Sequence, residues 1–264
     1  MTGPRRPRSG SQAETSWERV AGWYDGWVGD RGSVYHQQLA IPAVLELLDP
    51  RLGDEILDVG GGQGVLAPYL VDAGASVTVV DGSRRLIAAA RRRHSRLEGA
   101  RFLEGDARQL HAVAGLEPGA HDAAVFLLSI QDMDPLEDVV RSVDWALRPA
   151  STLVVLLTHP AFRQPRHSGW GVDESRKLTY RRIDSYLTPM AVPMKSLGGG
   201  PPTRSFHRPI GTYVNAFSQA GFATDAMMEL PDLPPDRRPG RAARGDERAQ
   251  REIPLFLALR ATRR

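Results

Sequence analysis

The sequence predicts an α/β protein: a doubly wound, seven-stranded, mostly parallel sheet with N-terminal helices in front and a cap inserted after the fifth strand. Three observations predict it. A short apolar run over 55–59 breaks into Gly60-Gly61-Gly62-Gln63-Gly64, and a second run over 76–80 ends on Asp81. Strand, glycine turn, helix, strand and acid in that order are how open sheets hold a nucleoside. Strand and helix patterns then alternate as far as residue 157, as a parallel sheet requires. Last, a helix, a strand, a long loop and a strand close the chain, so the final pairing is an antiparallel hairpin on an otherwise parallel sheet.

Each element has its local reason. Residues 15–29 place Trp17, Val20, Trp23, Tyr24 and Trp27 at helical spacing; the three tryptophans are expected to pack as core. Ser33 caps a second helix that runs to Leu48 and stops at Pro50. The first strand is 55–59, followed by a helix over 64–73. The second strand is 76–80, followed by a helix over 83–97 that Ser83 caps. The third strand is 101–104. The fourth, 122–128, is an unbroken apolar run of the kind buried on both faces. Pro135 opens a helix over 135–147, and 152–157 is the fifth strand. Periodicity is then lost over 159–207. So long an irregular stretch is functional or disordered, and Trp170, Tyr180, Tyr186 and Phe206 argue for function, as a cap over 160–207. A helix over 209–220 ends at Gly221. A strand over 222–229, an arginine- and proline-rich loop over 231–252 and a strand over 253–259 follow. The expected organisation is a disordered basic tail over 1–13 and one domain over 14–264, with lid helices over 14–48.

Composition sets bounds. The chain has 264 residues, room for one large α/β core, and 41% apolar with 25% charged residues is ordinary for a soluble protein. No apolar run nears the roughly 20 residues of a membrane helix, and the polar start is no secretory signal. With no cysteine, disulfides and thiolate metal sites are excluded, which fits the cytoplasm. The net charge of +3 is concentrated in Arg5, Arg6 and Arg8, in 84–96 and in 237–251. Such clusters can bind RNA, but no aromatic residues interleave them to stack bases. They read as solvated surface. The expected partner is a small molecule, without nucleic acid or membrane, and the expected chain is a monomer or homodimer.

Four motifs then narrow the nucleoside. They are Asp58-Val59-Gly60-Gly61-Gly62-Gln63-Gly64, Asp81 at the end of the second strand, Glu104-Gly105-Asp106-Ala107 after the third, and Ser129-Ile130-Gln131-Asp132 after the fourth. Together, in this order, they resemble the class I S-adenosylmethionine (SAM)-dependent methyltransferases, which are Rossmann-like, over roughly Trp17 to the C-terminus. Gly61 departs from the pattern, standing where many members have cysteine. The resemblance implies that Gly60 and Gly62 let the backbone approach the methionine part of SAM and that Asp58 serves its ammonium. Asp81 takes the ribose hydroxyls, since a carboxylate accepts several hydrogen bonds. Asp106 accepts from the adenine amino group, and the Ala107 N–H donates to a ring nitrogen. Gly82 and Leu128 complete the cofactor wall, and Tyr24 is the lid residue, placed for cation–π attraction to the sulfonium. A nicotinamide dehydrogenase also uses a glycine turn, but gives no reason for Glu104-Gly105-Asp106-Ala107.

Methyl transfer needs an aligned nucleophile, exclusion of water and, for a hydroxyl, a base. Three regions offer candidates. The lid brings Tyr35 and His36. The end of the fourth strand brings Gln131 and Asp132, the latter as base or as a helix-start acid. The end of the fifth strand and the end of the cap bring His159 and, second in preference, His207, both able to take a proton near neutral pH. Trp170, Tyr186 and Arg208 of the cap complete the acceptor site, as aromatic caps suit flat organic molecules. The two histidines and Asp132 find no further ligand of helpful spacing, so no metal is expected. The expected reaction is transfer of a methyl group from SAM, leaving S-adenosylhomocysteine (SAH), to O, N or C of a small molecule, plausibly a specialised metabolite. Two alternatives stand beside it. One is methylation of RNA or protein, against which the chain lacks an Asn-Pro-Pro-Tyr-type motif at Ser129-Ile130-Gln131-Asp132. The other is SAM binding without methyl transfer, as in a cyclase.

Overall fold

The computed structural model of the protein describes residues 17–194, 199–233 and 244–264. The expected basic tail over 1–13, with Arg5, Arg6 and Arg8, lies outside the described residues, as does 234–243 of the late loop.

A seven-stranded sheet forms the centre. Its strands are β1 (Glu55–Val59), β2 (Ser76–Asp81), β3 (Ala100–Glu104), β4 (His121–Leu127), β5 (Leu147–Thr158), β10 (Phe222–Pro231) and β11 (Pro254–Arg263). They lie in the order β10-β11-β5-β4-β1-β2-β3. The five strands from β3 to β5 pair in parallel, and β11 runs antiparallel to both neighbours, as the predicted terminal hairpin requires.

Two cores cover the two faces, because side chains alternate along each strand. Helices α2 (Ile41–Leu48), α3 (Ala67–Asp72) and α4 (Arg84–Arg93) bury Val44, Leu70 and Ile87 against Ile56, Val79, Val125 and Leu156. Helices α5 (Leu136–Ala146) and α6 (Ile210–Gln219) bury Val139, Val143 and Phe217 against Leu57, Val80, Phe126 and Val155. Asp58 alternates with Leu57 and Val59, so a carboxylate falls on a face otherwise filled by hydrocarbon.

The lid and cap differ from expectation in detail. The first lid helix, α1 (Ala21–Val28), follows a single 3-10 turn over Glu18–Val20. Trp23 and Trp27 are not core: they stack on each other at 5.8 Å and are 36% and 51% exposed. The cap is two small hairpins, β6 (Ser168–Asp173) with β7 (Leu178–Ile183), and β8 (Met190–Pro193) with β9 (Arg204–His207). Part of the expected late loop is helical, as α7 (Arg244–Glu252). The arginines of α4 are more than a solvated face. Arg91 donates twice to the Phe102 carbonyl of β3, and Arg93 holds Asp25 and Asp30 of the lid at 2.5 and 2.7 Å.

Candidate active site

The strand order reverses between β1 and β4, and ligands of open sheets bind outside the strand C-termini at that switch. The glycine turn closes it. The N–H of Gly60 donates to the Val80 carbonyl at 2.7 Å, and the Ser129 hydroxyl after β4 donates to the Val59 carbonyl at 2.7 Å. Gly60 sits at φ +70, and a Cβ there would stand 2.6 Å from the Met133 methyl and 2.7 Å from Ser129 Cβ. Protein packing is therefore by itself enough to require glycine at this position. Gly62 differs: at φ +57 its Cβ position has Tyr24 as its nearest neighbour, at 3.7 Å.

Four acidic and phenolic groups converge above this turn. Asp58 is 1% exposed and neither carboxylate oxygen has a partner among the described residues. Burial, reinforced by Asp81, pushes its carboxyl up to about 7. Asp81 accepts from the N–H groups of Gly62 at 2.9 Å and Ser83 at 2.7 Å, yet burial still lifts it to about 6. Asp132 accepts from the Trp17 indole at 3.0 Å, and burial raises it to about 7 against the hydrogen bonds from Ser205 and Trp17. Burial also raises the Tyr24 phenol, with Asp81, Asp132 and Asp58 adding to the effect, so all three carboxylates lie within its electrostatic reach.

Among the described residues no cation is paired with these carboxylates. An unpartnered carboxylate in a core is costly, and native interiors leave few such groups. A ligand with an ammonium and a sulfonium fits it: Asp58 supplies the orphaned acceptor, Asp81 keeps lone pairs for hydroxyls, and Tyr24 covers Gly62.

Other expected cofactor residues are placed less simply. Burial pushes the Asp106 carboxyl up, but Arg108 outweighs it and the net shift is downward; the guanidinium and backbone N–H of Arg108 donate to it at 2.6 to 3.1 Å. Asp106 thus caps the turn that Ala107 opens. An adenine amino group would have to share it. Leu128 adopts φ +56, and Gly82 is exposed at the mouth.

The acceptor candidates separate into two groups. His207, Gln131 and Arg208 line one cleft between the ends of β4 and β5 and the cap, and His159 also lines it. His159 has no ring nitrogen to spare: Nδ1 accepts from the Ala161 N–H at 3.2 Å, and Nε2 meets Glu229 Oε1 at 2.9 Å. This contradicts the preference for His159 as base. In His207, Nε2–H donates to the Tyr186 carbonyl at 2.7 Å, leaving Nδ1 as the lone-pair nitrogen. Burial lowers the pKa of both histidines, which favours their neutral forms. Tyr186 acts through structure, its hydroxyl accepting the Ile210 N–H at the start of α6.

Tyr35, His36 and Trp170 are not brought to this cleft. The Tyr35 ring packs edge-on against Phe256, and His36 is buried in the lid on Ser33 Oγ at 2.9 Å. Trp170 is 40% exposed on the outer hairpin, between the guanidinium groups of Arg163 and Arg181, each 5.1 Å from the ring. The spacing of an aromatic-rich stretch could not tell these surfaces apart. Two contributors escaped the sequence altogether. Glu18 accepts from Ser83 Oγ and the Arg85 N–H, joining the lid to α4, and Gln164 lines the cleft.

Residues 56–150 match the profile of a family described as a methyltransferase domain. A solved SAM-dependent methyltransferase from Mesorhizobium loti superposes with a TM-score of 0.67 at 26% identity, over 89% of this chain and 100% of that one. Residues 56–150 thus form a methyltransferase domain, in a chain whose fold matches that of a SAM-dependent methyltransferase. The chain is also similar to two proteins named as methyltransferases. N-demethylindolmycin N-methyltransferase of Streptomyces griseus is 26% identical over 85% of this chain and 94% of its own length. Demethylmenaquinone methyltransferase of Beutenbergia cavernae is 28% identical over 58% of each chain. The chain thus spans less than two thirds of the length of that relative. Among the described residues no helix is long and apolar enough to cross a membrane.

Proposed function

We propose that this protein is an enzyme that methylates O, N or C of a small organic acceptor, using SAM. The observation that carries the reading is the buried, unpartnered carboxylate of Asp58 beneath the glycine turn, with Asp81 and Tyr24 beside it. The likeness over nearly the whole length of an N-methyltransferase named for a small molecule supports the acceptor class.

When bound, SAM supplies an electrophilic methyl carbon and a good leaving group. The chain's own residues do the rest. Asp58 receives the ammonium and Asp81 the ribose hydroxyls. Tyr24 and Trp17 close the lid and exclude water. His207 Nδ1 takes the proton of an acceptor hydroxyl, its neutral state favoured by burial. For an amine acceptor, positioning suffices.

The test is incubation with methyl-labelled SAM and a lysate of the source organism, with products separated by size. Enzyme-dependent label in the small-molecule fraction is the expected result. Label confined to RNA or protein would replace the acceptor class, and a product formed without consumption of SAM would replace methyl transfer by cyclase-like chemistry.

A further inference from the structure

The cleft under the cap has its own chemistry. Its lining residues include Arg163, His207 and Arg208, together with Gln131 and Gln164, and among the described residues none of the lining groups is an aspartate or glutamate. Four polar atoms on these walls are buried with no partner: Gln131 Oε1, Gln164 Nε2, Gln164 Oε1 and Arg208 Nη1. Buried polar groups without partners are few in native proteins and call for a partner from outside the chain, a water, an ion or a ligand atom.

Arg208 is the informative one. Its side chain is 7% exposed. One edge of the guanidinium is fixed, Nη2 donating at 2.7 Å to both the Met133 carbonyl and Asp134 Oδ1. The Phe206 ring lies 5.3 Å from its central carbon and holds the plane. Tyr213, buried in the same wall, feels the charge of Arg208 and stands close enough for its hydroxyl to accept one guanidinium N–H, although Nη1 has no well-aligned partner among the described residues. Nη1 carries two N–H groups, so even with Tyr213 beside it one pre-oriented donor on a buried cation is left. Arg163, by contrast, is committed to the Pro254 and Ile253 carbonyls and to Asp232.

We propose that this cleft selects an acceptor bearing an oxyanion, a carboxylate or a phenolate, whose oxygen receives Arg208 Nη1–H. Gln131 Oε1 takes a hydroxyl or N–H of the same molecule, and Gln164 pairs with a further polar edge. A fixed guanidinium suits a planar oxyanion better than a point cation would. The word acceptor rests on the methyl-transfer reading above; the anion preference does not.

Calorimetry on the full chain preloaded with SAH tests it. Benzoate and 4-nitrophenolate are the two anionic probes, and benzamide and benzyl alcohol are the neutral ones. The expected result is at least tenfold tighter binding of one or both anions than of the neutral probes. That preference falls severalfold in Arg208→Lys and disappears in Arg208→Met, with SAH affinity unchanged in both as the check on folding. Should Arg208→Met not fold, Arg208→Lys and Gln131→Leu decide, the latter weakening every probe without changing the preference. Equal affinity for anionic and neutral probes, no binding of either anion, or an anion preference that survives both Arg208 substitutions overturns the proposal. Failure of the wild-type chain to take SAH overturns the methyl-transfer reading instead, and the same titrations into the SAH-free chain still judge the cleft.

Discussion

The indole N–H of Trp17 donates to Asp132 at 3.0 Å across 115 residues of sequence. It ties the start of the lid to the turn after β4, and Trp17 meets Tyr24 edge-on at 5.0 Å. The start of the lid is thus fastened twice, by Trp17 on Asp132 and by Glu18 on the start of α4.

Removing that hydrogen bond while keeping a ring should loosen the lid. Trp17→Phe is expected to release SAH several-fold faster, as loss of one hydrogen bond costs about 0.5–1.5 kcal/mol. Stopped-flow dissociation checks this; an unchanged rate would mean that the indole N–H does not hold the lid.

Asp81→Ala should weaken SAH binding by about 10- to 100-fold, since it removes the proposed ribose acceptor and frees the Gly62 and Ser83 N–H groups. Asp81→Asn should retain part of the affinity. Near-normal affinity of Asp81→Ala in a titration would reject the cofactor assignment.

The raised carboxylates give a pH dependence of definite sign. Asp58 and Asp132 at about 7, and Asp81 at about 6, lie above their unfolded value of 3.8. Folding therefore favours their protonated forms. The stability this contributes is fully present below about pH 4 and is lost as pH rises through 6 to 7. The cofactor-free protein should melt at a lower temperature at pH 8 than at pH 5. SAM, carrying the missing cation, should bind more tightly as pH rises through the same window. Thermal melts from pH 5 to 8 with and without SAM measure both, and SAM affinity that falls with pH would contradict the assignment of Asp58.

Gly61→Ala places a Cβ 2.4 Å from Asp58 Oδ2 and 2.7 Å from Val79 Cγ1. Displacing a packed carboxylate and a core valine should cost about 1–3 kcal/mol of stability. Chemical denaturation checks the value, and a neutral effect would show that Asp58 has room to turn.

The two histidines should part company. His159→Gln should lower stability and leave the pH–rate profile unshifted, because its ring nitrogens serve Glu229 and Ala161. His207→Gln should remove the acidic limb of the profile for a hydroxyl acceptor. A loss of that limb in His159→Gln would restore the order expected from sequence.

The seven strands, the glycine turn and the acids at strand ends were legible in the sequence because each depends on neighbours a few residues away. Alternation of apolar side chains marks β1 and β4, Ser83 caps α4 through the Leu86 N–H three residues on, and Asp81 follows directly from where β2 ends. These fix the α/β class and bring Asp58, Asp81 and Asp132 to one end of the sheet. Which groups meet there was decided by closure of the chain. Trp17 reaches Asp132, Ser205 Oγ donates to the Gln131 carbonyl 74 residues away, and Arg208 reaches Met133 across 75. Nothing local distinguishes Trp17 from Trp27, or Arg208 from Arg182. Their roles arise from burial and from which partners are already taken, and both are set only when lid, sheet and cap pack together.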